Sequence, residues 1–355
     1  MQDFHYNALP IDVYFGIDRS AQAKDIFLEQ GYRRVIVITT SGHEEAGKEL
    51  SDKLGNISSG VYPHAVMHVP VEVANKAVKF VRDNSIDCCL ALGGGSTIGL
   101  AKAIALKTHL PIVATPTTYD GSEMTNIYGI TDNHRKTTGK DVNVLPKIVI
   151  YDPELYLTLL AQISACSGMN AMAHAIESLY AKDKNPIISM MAIESIKAIK
   201  SSLPIIIRDL KNILARQQAS YGAWLAGVCL GSVGMAIHHK ICHVLGGTFN
   251  LPHAEAHAIT LAYSIHYNRN ADIRAMDKLA EALNVRSREE IGLAIYRLNQ
   301  SLGIKMALKE IGLPEEGLDK VARIVCDSPY YNPRDYNKEE LKGLLEKTYE
   351  GLPPV

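Results

Sequence analysis

The sequence has no CxxC pair among its six cysteines, no long run of charge of either sign, no unbroken apolar stretch long enough to span a bilayer, and no internal repeat or low-complexity segment. Each absence removes a class of function. Cys88, Cys89, Cys166, Cys229, Cys242 and Cys326 are scattered, which fits neither a zinc ribbon nor a disulfide framework and leaves them as small buried apolar side chains. Cys242 stands apart because histidines flank it at 239 and 243, although a neighbour one position away on a helix points to a different face. Thirty-seven Lys plus Arg against 38 Asp plus Glu leave a formal charge of -1, unsuited to a polyanion or an anionic membrane, so no nucleic-acid and no membrane partner is expected. The start, MQDFHYNALPIDVYFG, lacks a basic region followed by an apolar one, and a cytoplasmic protein is expected. The GxGxxG fingerprint of the classical dinucleotide-binding unit is also missing.

What is present divides the chain in two. At 355 residues it exceeds the size at which one core stops growing, and its 47% hydrophobic content supports well-packed cores. Residues 1–161 alternate short β-rich runs, at 35–39, 65–69, 88–92, 112–114 and 148–151, with helix-like stretches, the pattern of a mainly parallel sheet covered by helices. A polar stretch inside 125–146, around Thr131-Asp132-Asn133-His134, reads as a hairpin turn with basic residues on its far arm. Residues 162–355 lose the β-rich runs, and amphipathic segments at 170–181, 187–201 and 217–230 predict an all-α domain.

Two constellations carry chemistry. The run CCLAL ends in Gly93-Gly94-Gly95-Ser96-Thr97 and leads directly into IGLAKAIAL, a strand, a glycine turn and a helix N-terminus in succession. Glycines there let the backbone approach a diphosphate, and the free N–H groups of the helix favour its charge, so Gly94, Gly95, Ser96 and Thr97 are candidate phosphate ligands. Thr115, Thr117 and Thr118 follow the run LPIVA and offer hydroxyls at another strand end, where open α/β sheets bind ligands. In the helical half, Asn170 and His174 are spaced i, i+4, as are His239 and His243, and His253 follows in NLPHAEAH; such pairs share a helix face and can converge on one site.

The order GGGST, TPTT, GSEMTN, then NAMAHAIE, HHKICHVLGG and NLPHAEAH, resembles the iron-containing (group III) alcohol dehydrogenase superfamily, and SGMNAMAHAIESLYA with PYYNPR resembles its maleylacetate reductase branch over essentially the whole chain. The resemblance implies a dehydroquinate synthase-like, iron-containing alcohol dehydrogenase-like fold: a dinucleotide-binding α/β domain followed by a helical catalytic domain. It implies NADH or NADPH as cofactor, with Ser122 in the binding loop and Lys136 reaching the nicotinamide ribose. Thr40 stands where the family often has the ribose-binding Asp, so nothing there repels a 2′-phosphate and use of both cofactors is expected. The family's metal ligands are Asp, His, His and His; here Asn170 takes the Asp place, so no metal is expected, and any weak site would use His174, His239 and His253.

The reaction implied by the resemblance is hydride reduction of the carbon–carbon double bond of maleylacetate, a small dicarboxylate, to 3-oxoadipate in aromatic catabolism. His243 and His253 are expected to stabilise the enolate, and His174, His239 and Lys240 to anchor carboxylates. Arg334 pairs either with substrate or with an acidic neighbour, and Tyr330 and Tyr331 are read as core aromatics, at least one of them. A homodimer is the family-based expectation. The competing readings are a metal-dependent (Fe or Zn) alcohol or polyol dehydrogenase and a dinucleotide-binding sensor without turnover.

Overall fold

Strands that are apolar at nearly every position are those covered by helices on both faces, and the first half of the chain builds such a sheet. The computed structural model describes residues 3–132 and 135–355, with the side chains of 135 and 136 also outside the description. The chain forms two compact units, Leu9–Leu159, and Leu160–Val355 together with the N-terminal segment that ends at Ala8.

In the first unit β1 (Asp12–Phe15), α1 (Ala23–Glu29), β2 (Val35–Ile38), α2 (Glu44–Leu54), β3 (Ser58–Tyr62), α3 (Val71–Asp83), β4 (Cys88–Gly93), α4 (Gly95–Thr108) and β5 (Ile112–Pro116) alternate. A hairpin of β6 (Ile127–Asp132) and β7 (Arg135–Lys140) follows, and then β8 (Ile148–Tyr151). The main sheet is parallel, in the order β3-β2-β4-β5-β8-β1. Period-two alternation sends Val35, Val37, Cys88, Leu90 and Leu92 into the core under α1 and α2. Ile36, Ile38, Cys89 and Ala91 pack on the other face, under α3 and α4. From β2 the chain moves outward to β3 and then returns to the opposite side of β2 as β4. The strand order therefore reverses between β2 and β4, and their carboxyl ends flank the crevice where sheets of this kind take ligands.

One expected strand is absent. Residues 65–69 form a loop in which His68 and Val69 both have positive φ, 65° and 47°, a conformation incompatible with a strand. The outer neighbour of β2 is β3, a half-buried strand of sequence SSGVY. The hairpin expected within 125–146 is present as β6 and β7, paired from Ile127↔Lys140 to Asp132↔Arg135, and its turn at Asn133-His134 lies outside the described residues.

The second unit is helical: α5 (Ala161–Leu179), α6 (Pro186–Arg208), α7 (Ile213–Ser232), α8 (Ile237–Phe249), α9 (His253–Asn268), α10 (Ile273–Leu283), α11 (Ile291–Ser301), α12 (Gly317–Asp327) and α13 (Lys338–Glu350). The segment expected at 170–181 begins nine residues earlier in the structure, because SACSG carries no amphipathic stripe yet is buried from Ser164 onward. No single helix among the described residues is long and apolar enough to cross a membrane.

A buried ammonium organises the loop after β5. Lys102, on α4, is 1% exposed and donates to the carbonyls of Ser122 (2.7 Å), Thr125 (2.8 Å) and Ile127 (2.8 Å) and to the Thr125 hydroxyl (2.9 Å). Burial pulls Lys102 down to about 7. Four oxygen acceptors favour the charged form against that pull. We expect Lys102→Met to remove the donor that gathers these oxygens, leaving the Ser122 carbonyl only its bonds from Thr125, and to lower unfolding stability by at least about 3 kcal/mol in urea titrations; a loss under about 1 kcal/mol would show that the loop holds its shape without the lysine.

Candidate active site

At the carboxyl end of β4, Gly93 adopts φ 149° and Gly94 precedes the first turn of α4, which contains no acidic residue. A Cβ on Gly93 would lie 2.5 Å from Thr97 Oγ1, and one on Gly94 2.6 Å from Thr118 Oγ1, so both positions require glycine. Asp120 fixes the turn: its Oδ2 accepts from the Thr118 hydroxyl at 2.7 Å and from the Gly95 N–H at 3.3 Å. The Thr117 N–H bonds the Gly93 carbonyl at 3.3 Å, and the buried Thr39 hydroxyl bonds the Leu92 carbonyl at 2.9 Å, which ties the ends of β2, β4 and β5 together. Thr115 is buried on β5, Thr97 is fully buried, and Ser96 is half-buried in the α4 turn. Thr40 follows β2 with its hydroxyl 3.0 Å from His43 Nδ1. Ser122 contributes its carbonyl to Lys102. The Lys136 backbone pairs with Thr131, and its side chain lies outside the described residues.

In the helical unit, a helix face and a helix start build the second constellation. Asn170, His174 and Glu177 are spaced i, i+4, i+7 on α5, so they share a face. The Glu177 carboxyl reaches the start of α8, whose N-cap Ala236 has no side chain to offer, and accepts from the N–H groups of Ala236 (2.8 Å), His238 (2.8 Å) and His239 (3.4 Å). His239 Nδ1 sits 2.6 Å from Glu177 Oε2, and His239 Nε2 sits 2.6 Å from His174 Nδ1. Burial pushes Glu177 up to about 7 and His239 down to about 3. Burial thus disfavours the charged form of both partners at this contact.

A second chain runs alongside. Ser264 donates its hydroxyl proton to the carbonyls of Leu261 (3.0 Å) and Thr260 (3.2 Å), so it accepts from His238 Nδ1 at 3.0 Å. His238 Nε2 is then the acceptor for His257 Nδ1 at 3.0 Å. This leaves His257 Nε2 a bare lone pair, buried without a partner, as is Asn170 Oδ1. Burial drives both His238 and His257 well below the ordinary imidazole range.

The sequence-derived residues divide accordingly. His174 and His239 are in direct contact, while His243 and His253 stack with ring centroids 6.3 Å apart, His253 lying 4.3 Å from His257. Lys240 lies over the Tyr330 ring at 5.0 Å, and Tyr330 and Tyr331 are exposed, so neither is a core aromatic. Arg334 binds Glu340 at 2.6 Å and stacks 3.9 Å from the Tyr267 ring, which answers the question of its partner: an acidic neighbour. Cys242 is buried with Sγ 3.9 Å from His238 Nε2, and Cys326 is the cysteine that is only half-buried. Sequence reasoning missed Glu177, His238 and His257. The available signals were the i+3 spacing of Glu177 from His174 and the i+4 spacing of His257 from His253.

This architecture is that of a known family. The sequence model described as iron-containing alcohol dehydrogenase matches residues 10–153, and that of the Fe-containing alcohol dehydrogenase family, C-terminal, matches residues 164–349. The chain belongs to the iron-containing alcohol dehydrogenase family. It is 44% identical to the maleylacetate reductase of Sphingobium indicum over 352 residues, 99% of each chain. Among solved structures it resembles maleylacetate reductase from Agrobacterium tumefaciens, with a TM-score of 0.96, 42% identity and 100% of both chains covered. It also resembles the sulfoacetaldehyde reductase of Bifidobacterium kashiwanohense, solved with NAD+, with a TM-score of 0.91, 25% identity and 98% and 99% coverage. These likenesses support an oxidoreductase that uses NAD(H).

The family name raises the question of a cation, and the donors present do not fit one. Two ligands of a tetrahedral ion at ordinary bond lengths stand about 3.4 Å apart. His174 Nδ1 and His239 Nε2, at 2.6 Å, are closer than that and are hydrogen-bonded to each other. His238, His239 and His257 each bring a ligand atom within 4.8 Å of the others. His238, however, has both ring nitrogens committed, to Ser264 and to His257. Asn170 offers a neutral oxygen where a charged one would be needed. Asn170→Asp should therefore raise Zn²⁺ affinity by about tenfold or more in competition titrations against a chelating indicator; an unchanged affinity would mean that the histidine pairing alone excludes the ion.

Proposed function

We propose that this chain reduces the carbon–carbon double bond of maleylacetate to 3-oxoadipate with NADH or NADPH, in the catabolism of aromatic compounds. The observation that carries the reading is a set of buried histidines, His174, His238, His239 and His257, with the neutral Asn170 one turn before His174 on α5, in a chain that matches maleylacetate reductases from end to end. Hydride adds to the alkene carbon β to the ketone, electron density moves onto the ketone oxygen as an enolate, and a proton is then added to the adjacent carbon. A bound reduced nicotinamide would supply that hydride.

The residues divide the work as follows. The Gly94–Thr97 turn, with the α4 N-terminus, binds the diphosphate; Thr115, Thr117, Thr118, Ser122 and Lys136 complete the cofactor site. Thr40 in the place of an acidic residue supports use of both cofactors. N–H donors of His243 and His253 stabilise the enolate oxygen without a metal. His239 has both ring nitrogens engaged with Glu177 and His174, so carboxylate anchoring falls to Lys240 and His174 rather than to His239. The setting we propose is a cytoplasmic homodimer with a small dicarboxylate as its substrate; near-balanced charge supports the exclusion of nucleic acid.

Consumption of NADH and NADPH with freshly prepared maleylacetate should persist after exhaustive chelation. Activity restored only by Fe²⁺ or Zn²⁺ would instead support the alcohol or polyol dehydrogenase, and cofactor binding without turnover the sensor. Gly94→Ala, which drives a methyl into Thr118, should raise the KM for NADH by about tenfold, or about 1.4 kcal/mol, with kcat changed less than KM. An unchanged KM would remove this turn from the cofactor site.

A further inference from the structure

The N-cap of α4 is Gly94, which has no side chain to offer the helix, and the first turn of α4 holds no acidic residue. Asp120, 25 positions beyond Gly95, supplies both functions: its Oδ2 accepts from the Gly95 N–H at 3.3 Å and from the Thr118 hydroxyl at 2.7 Å. The same oxygen lies 3.4 Å and 3.5 Å from where Cβ atoms would stand on Gly94 and Gly95, so it overhangs the cradle that these glycines open. Both donors belong to the turn proposed above for the cofactor, and an anion of the protein's own therefore holds part of the place that a diphosphate needs. We propose that Asp120 sets the affinity of the cofactor site as a built-in competitor, its carboxylate occupying the Gly95 N–H and the Thr118 hydroxyl and so weakening dinucleotide binding; this deepens, and rests on, the reductase reading above.

The competition is for donors and for charge. For a diphosphate to take the Gly95 N–H and the Thr118 hydroxyl, Asp120 must give up both bonds and tolerate a second anion beside it. Two anions that share one set of donors stand about 5 Å apart, where like charges at a partly exposed site repel by enough to change a binding constant about tenfold. With the turn empty, the same carboxylate is stabilising. It caps α4, answers the positive end of the helix dipole, and ties the segment after β5 to the start of α4. The turn is thus held in shape before any ligand arrives, and a dinucleotide in either redox state is bound less tightly as the consequence.

The surroundings suit this role. Asp120, Gly94, Gly95 and Thr118 are all half-buried, so a ligand can reach the turn while solvent screens its charges only in part. The buried ionisable groups of the same region are committed elsewhere. The Lys102 ammonium is spent on the oxygens of Ser122, Thr125 and Ile127, and the Glu123 carboxyl accepts from the Tyr151 hydroxyl at 2.7 Å. Asp120 is the carboxylate that meets the α4 N-terminus itself.

The test is equilibrium binding of NADH, ADP and adenosine to full-length wild type and Asp120→Asn, read by calorimetry. The carboxamide keeps an oxygen that accepts from Gly95 and Thr118 and removes the charge. Asp120→Asn should bind NADH and ADP about tenfold more tightly, while adenosine, which carries no phosphate, should show no such gain. The ratio of the wild-type and variant dissociation constants should shrink as ionic strength rises from about 0.02 M to about 0.5 M, because salt screens the repulsion. NADH and ADP bound no more tightly by Asp120→Asn overturn the proposal, since the carboxylate then orders the turn for the cofactor rather than competing with it. A gain of equal size for adenosine also overturns it, by placing the effect away from the diphosphate. Should Asp120→Asn not fold, Asp120→Ser, smaller and equally uncharged, is read in the same way. A wild type that binds neither NADH nor ADP sinks the reductase reading and this inference with it, whereas a wild type that binds both, with no tightening in the variant, sinks this inference alone.

Discussion

The buried carboxyl of Glu177 is the group on which the helical unit's chemistry depends. Taking a carboxylate out of water costs several kcal/mol unless hydrogen bonds replace its hydration. Here two short backbone N–H bonds at the start of α8 and the His239 ring supply them. The same contacts fasten α5 to α8, give α8 the cap that Ala236 cannot, and set the tautomer of His239, which in turn sets that of His174. Helix packing and ring protonation are thus one problem, solved by a single side chain.

The contrast with the neighbouring line shows why the end group matters. Two imidazoles in series are ordered by the group that terminates them. A hydroxyl whose proton is given to carbonyl oxygens fixes His238 and His257 in one tautomer. The other pair, His174 and His239, ends instead on the Glu177 carboxyl, which is itself held by the N–H groups at the start of α8. Neutral Asn170 is consistent with such a site, since a carboxylate beside a dianionic substrate would repel it and would invite a cation.

Much of this was legible in the sequence. A continuous apolar run ending in glycines located β4 and the α4 start, and the i, i+4 pairs located the histidine helices. The failures have physical causes. Alternation at residues 65–69 imitates a strand, but His68 and Val69 are held left-handed, while the true strand β3 is polar and half-buried, as an edge strand is. Glu177 lies on a helix buried from Ser164 to Leu179, where no polar face marks the functional one, and its partner His239 is 62 positions away. His238 escaped notice because the i, i+4 template selects His239 and passes over its immediate neighbour, which turns to a different partner.

The ammonium of Lys102 has a consequence for anyone who recombines this fold. It acts as an internal monovalent cation, and the four oxygens it gathers belong to a segment that begins 20 residues later in the chain. Residues 121–127 and helix α4 are accordingly one inheritable part. A chimaera that exchanges the loop but takes its helix from a parent without this lysine inherits a ring of inward carbonyls with nothing at its centre, whatever the loop's own sequence.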